Sequence, residues 1–142
     1  MTQLIPLDAD TFVAGQIAPG DMAEIAAAGV TMVVNNRPDG EEWGQPSGAD
    51  IAAAADAAGL AYRHIPVVGG IGPDQVAAMA TALAEAEGKL LAFCRSGTRS
   101  TWLWALARSR QGRDGETLVS QAAAAGYDLT PLREHLRGVH DR

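Results

Sequence analysis

Apolar and polar positions along this chain fall into two alternating kinds of segment. Short runs of branched or aliphatic residues read as buried strands: VTMVVN at Val30–Asn35 and KLLAF at Lys89–Phe93. Phe12–Ala14 and Leu60–Pro66 are two further strand candidates. Between them lie Ala-rich stretches that read as helices: Pro19–Ala28, Asp50–Ala58, Asp74–Glu87 and Thr101–Arg110, then Glu116–Ala125 and Pro131–Arg137. Alanine is the strongest helix former, so its abundance marks helices rather than low complexity. Gly29, Gly59 and Gly88 stand just past three of the helices, where a terminating residue is expected. Arg37–Ser47 and Val67–Pro73 are rich in Gly and Pro and read as loops. Strands alternating with helices predict an α/β fold, a mostly parallel central sheet flanked by helices on both faces. In such sheets ligands gather at the carboxyl ends of the strands. That directs attention to the loops after residues 35, 66 and 93.

Composition narrows the class. A chain of 142 residues suggests one domain, 1–142, large enough to bury a core without disulfides. Eleven Lys and Arg against 17 Asp and Glu leave a net charge of −6. An acidic surface is a poor match for nucleic acid. The N-terminus lacks a basic patch followed by an apolar run, and no stretch approaches a membrane span. A cytoplasmic location is the default expectation, with no membrane partner. One cysteine excludes an internal disulfide and a Cys-rich zinc site. Three scattered histidines offer no metal-ligand spacing, so neither metal nor cofactor is expected.

That cysteine, Cys94, follows directly on a buried strand, in K-L-L-A-F-C-R-S-G-T-R-S-T. A loop of this kind, running into a helix, turns its backbone N–H groups inward and makes an anion cradle. The same groups favour a thiolate over a thiol. Gly97 permits a sharp turn. Arg99 can fork onto two oxygens of an oxyanion. Ser100 is placed to hydrogen-bond the sulfur as it leaves. Cys94, Arg99 and Ser100 are therefore catalytic candidates. Arg95, Ser96, Gly97 and Thr98 are the substrate-binding candidates in the loop. The plainer alternative is a buried structural cysteine.

The loop resembles the C-x5-R-[ST] active-site loop of cysteine-dependent phosphatases and the six-residue loop of rhodanese-type sulfurtransferases. Together with VVNNRPDGEEWGQP (33–46) and AAGLAYRHIPV (57–67), the segment AFCRSGTRSTWLWAL (92–106) resembles a narrower group. This is the phosphatase-like domain found in, and alone beside, beta-lactamase-hydrolase-like proteins of bacteria. The resemblance covers residues 3–110. It implies a dual-specificity-phosphatase-like fold with Cys94 as nucleophile, and its members are described both as phosphatases and as sulfurtransferases.

The sequence departs from the phosphatase pattern in three places. Phe93 stands where the signature has His, and four residues rather than five separate Cys94 from Arg99. A tighter cradle suits a small terminal group such as the outer sulfur of a persulfide. No acid follows His64–Val67, where the leaving-group acid of such phosphatases lies. Asp74 is the first carboxylate there and reads as a helix start. Asp39, in Pro38-Asp39-Gly40, is either turn chemistry or the catalytic acid, with Glu41 beside it. Arg37 is an anion-binding candidate or a partner for Asp39. His64 reads as a structural histidine, while His135 and His140 read as solvated. One of Trp102 and Trp104 should be core and the other should border the loop. Trp43 is core to neither and reads as a pocket wall or lid.

Three functions follow. One is a thiolate phosphohydrolase acting on a small-molecule or protein phosphoester. Another is a sulfurtransferase with a sulfane-sulfur donor and a thiol acceptor. The third is a non-catalytic oxyanion-binding module. Oligomeric state is not legible.

Overall fold

Five strands form one sheet in the order β1-β2-β5-β3-β4. The computed structural model describes residues 3–136. The strands are β1 (Ile5–Asp8), β2 (Thr11–Ala14), β3 (Val30–Asn35), β4 (Ala61–His64) and β5 (Lys89–Phe93). The helices are α1 (Met22–Ala27), α2 (Gly48–Ala57), α3 (Pro73–Glu85), α4 (Thr98–Arg110) and α5 (Gly115–Ala124). Turns of 3-10 helix cover Pro19–Asp21 and Thr130–His135.

Alternation within the strands explains why the sheet is covered on both faces. Leu90 and Ala92 of β5 join Met32 and Val34 of β3 in one core, under Met79, Leu103, Trp104 and Leu118. The intervening Leu91, Phe93 and Val33 join a second core with Ile25 and Ile51. A strand buried on both sides cannot show a polar face, which is why KLLAF and VTMVVN read as continuous apolar runs.

Four of the five strands are parallel, β2 with β5, β5 with β3 and β3 with β4. The exception is β1, which runs antiparallel to β2 at the sheet edge. Sequence patterning misses β1 because it is four residues long and contains Pro6, whose missing N–H an edge tolerates. The register pairs Ala14 with Phe93, Phe93 with Asn35, and Asn35 with His64. All four carboxyl ends therefore finish level, and the residues that follow them share one rim.

Helix boundaries differ from expectation where glycine precedes a helix. The helix expected from Thr101 begins at Thr98, directly after Gly97 in the left-handed region at φ +93°. The run R-S-G-T-R-S looks like loop because it has no apolar period and no capping side chain. The segment expected as a helix at Pro131–Arg137 is a 3-10 turn ending at His135. Arg137 and His140 lie outside the described residues. Trp104 is fully buried and Trp102 is half-buried, the division expected of them.

Candidate active site

The level rim sets the site. Cys94 continues β5, and its N–H donates to Ala14 O at 3.4 Å. Asn36 N–H donates to Phe93 O at 2.8 Å, and Val67 N–H donates to Asn36 O at 3.0 Å. Four strand ends are thus laced together beside the cysteine. Cys94 itself is fully buried.

The loop's carbonyls are held outward. Arg95 O accepts from Gln16 N–H at 3.3 Å. Ser96 O accepts from the Tyr127 hydroxyl at 3.0 Å. Gly97 O is taken by both the Thr101 N–H and the Thr101 hydroxyl. On the other side of the loop, Gly97 N–H donates to Cys94 Sγ at 3.1 Å. The first turn of α4 has no side-chain cap, so its N–H groups remain available to an anion at this point. Gly97 is required twice over: for its positive φ, and because a Cβ would overlap the Tyr127 phenol. Burial, chiefly, and the nearby Cys94 push the Tyr127 phenol upward.

Arg99 reaches the cysteine from the first turn of α4. Its Nη1 donates to Val67 O at 3.0 Å and to Glu41 Oε2 at 2.9 Å, and its Nη2 donates to Glu41 Oε1 at 2.8 Å. The fork therefore grips both oxygens of one carboxylate. Glu41's hydrogen bonds outweigh desolvation and hold Arg99 above the usual guanidinium range. In return, Arg99 and then Arg37 hold the Glu41 carboxyl down to about 2, against the opposing effect of desolvation.

Several candidates lie elsewhere than expected. Arg37 is buried rather than open to substrate, and its nitrogens donate to Glu41 at 2.8 Å, Gln16 at 2.9 Å and Glu42 at 3.0 Å. Those bonds use its fork to shape the loop after β3. Ser100's hydroxyl donates to Asn36 Oδ1 at 2.7 Å instead of to the sulfur, tying α4 to β3 in the interior. Asp39 accepts from Gly48 N–H at 2.6 Å, at the start of α2, where the helix dipole favours a carboxylate. Asp74 sits exposed in the first turn of α3. Arg95 is exposed and pairs with Glu42 at 3.2 Å. Ser96 and Thr98 face each other through their hydroxyls at 3.3 Å. His64 Nε2 bonds Arg37 O at 2.9 Å, as a structural histidine does. Trp43 is 98% exposed.

Sequence reasoning missed Tyr127, Gln16, Glu42 and Asn36. Only Asn36 carried a local signal, its place directly after a buried strand. The others meet the loop from distant turns.

Residues 4–111 match the family described as "Beta-lactamase hydrolase-like protein, phosphatase-like domain". The chain is 41% identical over 119 residues to the beta-lactamase hydrolase-like protein of Agrobacterium fabrum, covering 82% of this chain and 28% of that protein. The chain thus spans less than a third of the length of the curated relatives it matches. Among solved structures, a candidate phosphatase from Neisseria meningitidis is 33% identical over 95% of this chain and 96% of that one, with a TM-score of 0.80. A variant of human DUSP28 is 21% identical, covers 87% of this chain and 82% of that one, and has a TM-score of 0.68. The second likeness establishes the fold alone: this is the protein tyrosine and dual-specificity phosphatase fold. No helix among the described residues is long and apolar enough to cross a membrane.

Proposed function

Because the chain belongs to the phosphatase-like domain family of beta-lactamase hydrolase-like proteins, we propose that residues 1–142 are one cysteine-dependent phosphoric monoester hydrolase domain. The observation that carries this reading is the grip of Arg99 on Glu41: beside the cysteine, a guanidinium fork already holds a two-oxygen anion.

In the proposed reaction a phosphoester displaces Glu41 from Arg99. Arg99 and the inward N–H groups of residues 95–100 bind its non-bridging oxygens. The Cys94 thiolate attacks phosphorus, forming the S–P bond as the ester P–O bond breaks. Water then cleaves the S–P bond, releasing phosphate and returning the thiolate. Ser96, Gly97 and Thr98 belong to the cradle. Ser100 and Arg37 act by holding α4 and the Glu41 loop in place. A cytoplasmic setting, in which external thiols keep Cys94 reduced, suits this chemistry. The substrate is a small-molecule or protein phosphoester, and an acidic chain disfavours nucleic acid.

One observation favours a second reading, sulfur transfer. Asp39 is bonded at the start of α2, Asp74 sits in the first turn of α3, and Glu41 is held ionised by two arginines, an arrangement that offers a leaving oxygen no evident acid. A sulfurtransferase needs no such acid. Cys94 would take the outer sulfur of a donor such as thiosulfate, releasing sulfite, and pass it from the persulfide to a thiol.

Turnover of p-nitrophenyl phosphate, and thiocyanate formation from thiosulfate and cyanide, separate the two. Cys94→Ser is expected to lower the phosphatase rate by at least about 10³-fold. Phosphatase activity surviving that substitution would overturn the mechanism, and thiocyanate formation without phosphatase activity would install the second reading.

A further inference from the structure

The Ser96 carbonyl and the Gly97 N–H are the two ends of one peptide group. A trans peptide is planar, so its C=O and N–H point in opposite directions and turn together. At the outer end the Tyr127 hydroxyl donates to Ser96 O at 3.0 Å. At the inner end Gly97 N–H donates to Cys94 Sγ at 3.1 Å. Two hydrogen bonds therefore run from Tyr127, across one rigid plane, to the sulfur.

Tyr127 is itself held from two sides. It follows Gly126, whose φ of +97° ends α5, and its own N–H donates back to Ala122 O at 2.8 Å. The carbonyl of the next residue, Asp128, accepts from the Trp102 indole at 3.2 Å. Trp102 belongs to α4, the helix whose first turn carries Arg99. The tyrosine is thus fixed relative to the same helix that follows the cysteine loop. With its pKa raised, chiefly by burial, the phenol keeps its proton and stays a donor at neutral pH.

We infer that Tyr127 is a positioning residue for the Cys94 nucleophile: its hydroxyl locks the Ser96–Gly97 peptide with the N–H turned to the sulfur. The inference rests on Cys94 acting as a thiolate, in phosphoryl or in sulfur transfer, and adds a residue that works through the peptide rather than on substrate. An N–H held on the sulfur favours the thiolate over the thiol. A donor on the carbonyl of the same peptide strengthens that N–H. The other charged groups at the loop are Arg99 from α4, with Glu41 on its fork, and Arg95, which turns to Glu42. Tyr127 bonds none of them, so its contribution separates from theirs.

Tyr127→Phe keeps the ring over Gly97 and removes only the hydroxyl. Cys94 is the one cysteine in the chain, so ultraviolet thiolate absorbance reports it alone, with Cys94→Ser as the blank. The bond lies at the surface, where water can take the place of the hydroxyl, so the effect is a fraction of a full hydrogen bond to a charge. The pH profile of that absorbance is expected to move upward by about half a unit in the variant. Turnover on the rising limb of its own pH profile should fall about threefold and recover at higher pH. A profile that stays in place while the wild-type chain turns over substrate would overturn the role of Tyr127 and leave the proposed function standing. A lowered unfolding midpoint with an unmoved profile would do the same, since it marks a purely structural tyrosine. A shifted profile in a chain that turns over neither p-nitrophenyl phosphate nor thiosulfate would uphold Tyr127 and overturn the hydrolase. A wild-type chain with no thiolate step from acid to neutral pH would overturn both.

Discussion

Two carboxylate–arginine clusters close opposite ends of the sheet, and they are built from similar parts to different ends. At the amino end of β5, Asp8 accepts from the Trp104 indole at 3.0 Å, Arg108 at 3.2 Å and Arg113 at 2.9 Å. Its side chain is only 5% exposed. Burial raises its affinity for a proton, but bonds from Trp104, the Asp10 N–H and Thr11, with the Arg108 charge, hold it below the ordinary 3.8. At the carboxyl end, Glu41 and Glu42 are shared among Arg37, Arg95 and Arg99, with exposures of 31% and 52%. In the buried cluster Asp8 itself is shut off from water, so its charge depends on these partners. The rim cluster can exchange its carboxylates for water or for another anion. The same chemistry is therefore structural at one end and displaceable at the other, and the displaceable copy stands beside Cys94.

Asp8→Asn should break the comparison most sharply. It removes the charge between two arginines and is expected to cost about 3 kcal/mol of stability, read by denaturant unfolding. Turnover per folded molecule should be unchanged, because the cluster lies across the sheet from Cys94. A matching loss of turnover would mean that the two ends are coupled.

Glu41→Gln should do the reverse. Stability should move little, while inorganic phosphate binds roughly three- to tenfold more tightly, because the Arg99 fork no longer holds a competing charge. This gain should shrink as salt is raised from about 0.05 to 0.5 M, since the rim pair is screened in the wild-type chain as well. Weaker phosphate binding in the variant would show instead that Glu41 aims the fork.

A smaller effect distinguishes the clusters by pH. The folded Glu41 carboxyl lies near 2, below its ordinary 4.5. Its contribution to stability is therefore fully present above about 4.5 and fades as pH falls towards about 2. The stability difference between wild type and Glu41→Gln should close across that window. A difference that persisted at its lower end would remove the ion pair as its source.

The reading of the chain by pattern reached β3 and β5 to the residue, because both are short apolar runs bounded by turn residues. For the same local reason it reached the order of the four parallel strands and the five α-helices, missing only the edge strand β1 and the 3-10 character of the last turn. It also singled out Cys94, Gly97 and Arg99, whose chemistry lies within six consecutive positions. It went astray where partners come from far along the chain. Ser100 looks aimed at the sulfur in sequence, yet it bonds Asn36, 64 residues away. Arg37 looks like an open anion-binding group, yet burial commits it to Gln16 and the two glutamates.

By itself, then, the sequence determined that a strand must deliver a lone cysteine into a glycine-bearing loop ahead of an arginine. Steric limits on φ and the burial of apolar alternation are local constraints, and each acts within a few residues. Only the tertiary structure decided which carboxylate meets that arginine. Asp39 and Glu41 are two residues apart in one loop, but the turn between them sends Asp39 to the start of α2 and Glu41 into the Arg99 fork, 58 residues distant. Level strand ends bring those distant turns to one rim, and no short-range pattern records where a rim's neighbours come from.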